Sequence, residues 1–481
     1  MIGIGIDFGT SNSAVAWYDG QDVHCLHLEP GRDTMPTAVH IDREFQSLVG
    51  TKAVQKYVSE NRARRVEITA KPIGEAAFDV RESLEGEPQG EEGGRQMLYG
   101  PSEDHGLPGR LFLGIKRLLG EVGLERIDIF SRPFRLVALV TPVFLVFREA
   151  IGAIPAHDDR RVYVGRPVEF EGSDEQSNRK AVERLVEASQ HARLPADGLY
   201  PEPLAACLSF LHQRSEQGDC RVLTVDFGGG TLDLSLVDWS GGDFRVLDTE
   251  GAGIGGDHID QLIYQALVFP ELGRGLSWTR QGADKEVTTE FPFHLYEKKL
   301  LNWAVTHTLN QNEYTARLHE YISEGGPDVH KIRRLRDVIV NNESHDILQS
   351  IKEAKARLSE VESTRLEIPE IDLSIPFSRT RLNAIISEVI GELEHRVTAL
   401  LSRNAVDPAQ VDHVVRTGGS CKLRAVVELL EKQFPGKVVE HDIFTGVACG
   451  LAIASYHGYE YHPNRATPGN SPSSDNTRTS T

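Results

Sequence analysis

The chain has 481 residues, a length that suits about three domains or subdomains and a core large enough to need no disulfide staples. With 40% hydrophobic and 26% charged residues its composition is globular, neither disordered nor fibrous. Asp and Glu number 71 against 52 Lys and Arg, and the net charge of −19 argues against nucleic acid or an anionic membrane as the main partner. A small phosphate ligand held by backbone amides stays compatible with that charge. The five cysteines, at 25, 207, 220, 421 and 449, include no CxxC pair, which disfavours a disulfide framework or a zinc ribbon. His24-Cys25-Leu26-His27 reads as a strand with alternating polar positions rather than a metal site. No basic region opens the chain, and the longest apolar run, 136–147, is broken by Thr141 and Pro142. The expectation is a cytoplasmic protein without signal peptide or membrane span.

In chain order, residues 2–6 and 13–18 predict two short strands around Asp7-Phe8-Gly9-Thr10-Ser11-Asn12. Residues 74–106 read as a solvated acidic insertion or loop, since nine acids face two bases between Glu75 and Asp104. A basic amphipathic stretch, 110–120, precedes an apolar helix near 134–150, a buried strand at 161–164 and a helix at 177–192. The opening pattern then returns, with strand, glycine turn and strand over 222–237. A strand at 244–248 leads through glycines into a helix from Asp257, and 290–360 is helix-rich. A single helix is expected over 380–401, where Leu382, Ile385, Ile386, Val389, Ile390, Leu393 and Val397 form one apolar stripe. A strand at 412–416 runs into Thr417-Gly418-Gly419-Ser420 and a further helix. The last apolar helix covers 444–456, and a polar tail, 461–481, is expected to be disordered.

Strands alternate with helices, and the turn motif recurs after 219 residues. The fold class is therefore α/β with two related lobes. Lobe I is placed at 1–214 with the acidic insertion, and lobe II at 215–460 with a helical subdomain at about 261–365. Glycine at both turns lets the backbone approach an anion and aim successive N–H groups at it. Asp7 and Asp226, each at a strand end, suit a hydrated Mg²⁺. Either turn alone reads as an ordinary glycine hairpin. Two of them facing each other make a clamp for the phosphates of one nucleotide.

Two such loops in one chain resemble the actin, sugar kinase and heat-shock ATPase superfamily. Val225-Asp-Phe-Gly-Gly-Gly-Thr-Leu-Asp-Leu-Ser235 looks like the second phosphate loop of the 70-kDa heat-shock (DnaK-type) chaperones. Gly255-Gly256-Asp257 matches their glycine-glycine-acid segment, and Ile115-Lys116-Arg117-Leu118-Leu119-Gly120 the segment of their catalytic lysine. Glu202-Pro203-Leu204-Ala205-Ala206, the adenosine loop Thr417–Ser420 and the helix start Ser378–Leu382 follow in the family's order. The resemblance implies a two-lobed actin-like ATPase fold of duplicated ribonuclease-H-like domains with a nucleotide cleft between the lobes. Only about 25 polar residues follow the last helix, so the chain resembles the short, YegD-like branch without a peptide-binding domain.

Carried over, the resemblance implies ATP or ADP with Mg²⁺ as ligands. Asp7 and Asp226 would hold the metal through water, with Gly9, Thr10, Ser11, Asn12, Gly228, Gly229, Gly230 and Thr231 around the phosphates. Lys116 would face the γ-phosphate as a point charge, and Glu202 would position or partly deprotonate the attacking water. Gly255, Gly256, Lys355, Ser359, Gly418, Gly419 and Ser420 would form the adenosine side. Three positions depart from the family: Lys352 stands for an acid, Ala356 for the arginine that stacks on adenine, and Phe444 for another acid. Losing a guanidinium stack costs on the order of 1 kcal/mol.

The implied function is Mg-dependent ATP hydrolysis in which lobe closure signals to a protein partner or co-chaperone, the chain being a monomer or weak oligomer. A nucleotide-gated adaptor with little hydrolysis is the alternative that Lys352 and Ala356 motivate. A small-molecule kinase of the same superfamily and a filament former are further readings. Gly251–Gly256 also spells the dinucleotide motif GxGxxG, but its place after the second hairpin and before Asp257 favours the chaperone-type reading. Asp-Phe-Gly occurs in protein kinases too, yet no His-Arg-Asp loop accompanies it here.

Overall fold

A computed structural model describes residues 1–66, 68–78, 94–104, 106–154, 159–167, 175–214, 218–240, 243–281, 285–441 and 445–460. The polar tail 461–481, Phe444 and the centre of the acidic insertion, 79–93, lie outside them.

Two sheets repeat one topology. In the first, Ile2–Phe8 pairs in parallel with Arg160–Arg166, which pairs in parallel with Gly198–Pro201. On its other side Ile2–Phe8 runs antiparallel to Asn12–Tyr18, followed by Val23–Cys25 at the edge. In the second, Cys220–Phe227 takes the central place, with His413–Thr417 and Val438–Glu440 in parallel and Leu232–Ser240 and Asp243–Ala252 antiparallel. The central strands are almost wholly apolar and buried because helices cover both faces. This is the two-lobed, actin-like arrangement that the recurring turn motif implied.

Each lobe has its own core, and a third cluster joins them. Tyr18, Tyr163, Tyr200, Leu204 and Phe210 pack in it with Val222, Val237 and Val415 of the second sheet. Its centre is the helix Gly446–His457, apolar around its whole circumference and buried at nine of twelve positions. That helix lies against Ile2–Phe8 so closely that a Cβ at Gly3 would strike the Ala452 carbonyl, and one at Gly5 the Ala448 carbonyl. Glycine in the middle of a strand is otherwise a cost, and here it is what lets helix and strand touch.

The lobes also meet at a second place. The Tyr57 hydroxyl, on helix Gly50–Asn61, donates to the Ala304 carbonyl at 2.6 Å and lies 3.4 Å from His307 Nδ1. The Val66 amide donates to the Asn310 carbonyl at 3.0 Å, the Asn310 side chain to the Arg64 carbonyl at 2.9 Å, and Arg62 pairs with Asp346 at 2.8 Å.

Two elements differ from expectation. Part of the stretch read as a solvated insertion or loop, 74–106, is an antiparallel ribbon, Ile68–Phe78 with Gly94–Asp104. Charge and glycine content report contact with water, which a two-stranded ribbon provides as well as a loop does. Its register shifts on either side of Pro72, which has no N–H to give the ladder. The helix expected over 380–401 is two, Arg379–Ile385 and Ser387–Arg403, broken at Ile386. The Ser387 hydroxyl donates to the Ala384 carbonyl at 3.1 Å there, while the apolar stripe continues through the break. Among the described residues, no helix is long and apolar enough to cross a membrane.

Candidate functional site

Each central strand ends in aspartate and turns back through glycine, so both turns emerge at the same end of their sheets. They adjoin, because a Cβ on Gly229 would stand 3.3 Å from the Ser11 hydroxyl. The Gly228 amide closes the second turn on the Thr231 carbonyl at 3.0 Å. Two of its carbonyls are held by neighbouring segments. Gly228 accepts from the Gly256 amide at 2.9 Å and from the Ser420 hydroxyl at 3.0 Å, and Gly229 from the Asp257 amide at 2.7 Å. Gly255 fits only as glycine, since a Cβ would enter the Gly229–Gly230 backbone.

Between the turns lie four charged groups. Lys116, on the short helix Ile115–Leu118, is buried and donates to Glu202 at 2.5 Å. Glu202 opens the helix Glu202–Arg214, where a carboxylate complements the amide end of the dipole. Burial lowers the Lys116 pKa, but Glu202 and Asp7 outweigh that and leave it raised. Asp7 is pushed up to about 7, chiefly by burial and then by Glu202, with Lys116 opposing. Asp226 is pushed up to about 8 by burial, then by Asp233, Asp7 and Glu202. One lysine thus faces a surplus of carboxylates.

On the other side, Lys355 pairs with Asp260 at 2.7 Å and donates to the Gly256 carbonyl at 3.1 Å. Lys352 pairs with Asp257 at 3.0 Å. Ser359 follows Lys355 one turn later on helix Ser344–Glu360. Gly418, at φ 81°, sits beneath the Phe227 carbonyl and Asp226, and Ala356 and Gly419 are exposed. The structure therefore gathers Asp7, Ser11, Lys116, Glu202, Asp226, Gly228–Thr231, Gly255, Gly256, Lys355, Gly418 and Ser420. Asn12, Ser359 and Gly419 lie at its margin.

Three residues outside the expected set belong to this constellation. Asp233 accepts from the Thr231 hydroxyl at 2.7 Å and stands opposite Asp226 across the hairpin. Arg117 reaches the Gly230 backbone, and buried Asp260 anchors Lys355. The signal for Asp233 was in the sequence: a four-residue turn in an antiparallel hairpin sets 226 against 233. Arg117 and Asp260 carry no comparable local signal.

The donor set suits a nucleotide with a hydrated cation. Glycine backbone and hydroxyls serve phosphate, and carboxyls held above their usual range are stabilised by an added positive charge. Among the described residues no three carboxylate, imidazole or thiol groups are grouped to share a metal directly.

The family model described as Hsp70 protein matches residues 3–84, 174–271 and 304–456, well over half of the chain. The chaperone protein DnaK of Burkholderia cepacia is 23% identical over 477 residues, covering 94% of this chain and 58% of its own length. The chain thus spans little more than half of that relative.

Proposed function

The chain belongs to the Hsp70 family, and on that premise we propose that it binds ATP with Mg²⁺ between its lobes and hydrolyses it, as a chaperone-like protein whose lobe closure signals to a protein partner. The observation that carries this reading is the part-buried Lys116–Glu202 pair, 2.5 Å apart, beside Asp7 and Asp226 where the two turns adjoin. Phosphoryl transfer to water asks for positioning and charge stabilisation more than for covalent help. Glu202 would orient the water and take up its proton, with Lys116 holding the carboxylate in place and offering its charge to the transferred phosphate. The turn amides would fix the phosphates in line. Mg²⁺, bound through water to Asp7 and Asp226, would supply the remaining positive charge.

A second reading, the nucleotide-gated adaptor with little hydrolysis, is favoured by Lys352, tied to Asp257, and by exposed Ala356. Mg·ATP turnover by the wild type and by Lys116→Ala separates the two. A large loss in the variant supports the ATPase, whereas equal rates remove Lys116 from the chemistry. Tight binding with negligible turnover by the wild type favours the adaptor.

A further inference from the structure

Two of the five thiols meet across the whole length of the chain. Cys25 ends the edge strand Val23–Cys25 and is half-buried, while Cys449 is buried on the first turn of helix Gly446–His457. Their sulfurs are 3.8 Å apart although 424 positions separate them. We propose that Cys25 and Cys449 form a reversible disulfide under peroxide, stapling the last helix to the edge of the first sheet.

A disulfide needs the sulfurs at about 2 Å, a closure of under ~2 Å from where they stand. A three-residue edge strand gives way more readily than a helix clasped on all sides. The accessible Cys25 thiolate attacks hydrogen peroxide: an S–O bond forms, the O–O bond breaks, and the departing hydroxide leaves as water after taking a proton. The Cys449 sulfur then attacks the sulfenic sulfur. The S–S bond forms, the S–O bond breaks, and the oxygen leaves as a second water with the Cys449 proton. Two electrons pass from the thiols to one peroxide.

The other buried thiols are poorly suited to this. Cys207 lies 3.1 Å from the Thr224 hydroxyl and Cys421 donates to the Val225 carbonyl at 3.3 Å. Burial pushes each up to about 12, far from the reactive thiolate. The staple would act where it counts, because its helix packs on strands of both sheets.

The test treats the full chain with hydrogen peroxide and maps peptides without reduction. The expected result is one linked pair, 25 with 449, with two of five thiols lost, both restored by dithiothreitol. The thermal midpoint should rise by roughly 5 °C on oxidation. Cys25→Ser and Cys449→Ser should each abolish the link and the rise, and Cys220→Ser should keep both. Cys25→Ser, at a half-exposed position, carries the test should the buried variant fail to fold. Retention of all five thiols, linkage of another pair, or over-oxidised Cys25 without a link would overturn the proposal.

Discussion

The two strand-turn-strand motifs share topology and aspartate but are held differently. The carbonyls of the second turn are held by backbone and hydroxyl donors: Gly256 and Ser420 donate to Gly228, and Asp257 to Gly229. Beside the first turn stand long charged side chains, Lys116 and Glu202, on helices outside the motif. The central strands differ as well. Gly3 and Gly5 of the first seat a helix backbone directly, whereas their counterparts in the second, Val222 and Thr224, present full side chains to their neighbours. The duplication thus supplies a common frame, and each copy is specialised: one for charge, the other for rigid placement.

The sharpest way to break this comparison is Lys116→Ala. Turnover should fall on the order of 10²–10³-fold while Mg·ATP affinity, measured by calorimetry, changes only a few-fold. Next comes Gly5→Ala, expected to cost about 3 kcal/mol in urea unfolding because the Ala448 carbonyl cannot recede. Thr224→Val, its counterpart, should cost about 1 kcal/mol, the loss of one hydrogen bond. Comparable losses for both would mean the lobes are packed alike.

The contact at Tyr57 offers a pH test of how the lobes hold together. Burial lowers the His307 pKa to about 4, with Arg64 adding to the shift. The folded state keeps the ring neutral, so its contribution is complete above the ordinary value near 6.5 and is lost as pH falls toward 4. Glu343 runs the other way: burial raises it to about 7, and its contribution fades as pH rises through that value. The histidine effect is therefore read as a difference. From pH 7.5 to 5 the wild type should lose on the order of 2 kcal/mol more than His307→Gln. Gly255→Ala, whose Cβ would enter the Gly229–Gly230 backbone, should weaken nucleotide binding by about tenfold, read by calorimetry.

Local pattern made much of this legible. Both turns and the apolar last helix stand where residue type and spacing put them, whereas the helix Glu202–Arg214 has no counterpart among the expected elements. What stayed hidden depends on distance. Tyr57 and His307 are 250 positions apart, and nothing in either neighbourhood announces the other. The segment around Lys116 marked it as the catalytic lysine, but its direct pairing with Glu202, 86 positions on, had no local sign. The break at Ile386 escaped for a different reason: an apolar stripe records which side is buried, and a one-residue interruption that keeps that side leaves it unchanged.

The seat that Gly3 and Gly5 offer is filled by residues 448–456. During synthesis the first strand therefore emerges hundreds of residues before its partner helix, and the first sheet waits with one face uncovered. Folding of that lobe is tied to a helix hundreds of residues downstream, a high-contact-order closure that is slow and leaves apolar surface open to capture by other proteins meanwhile.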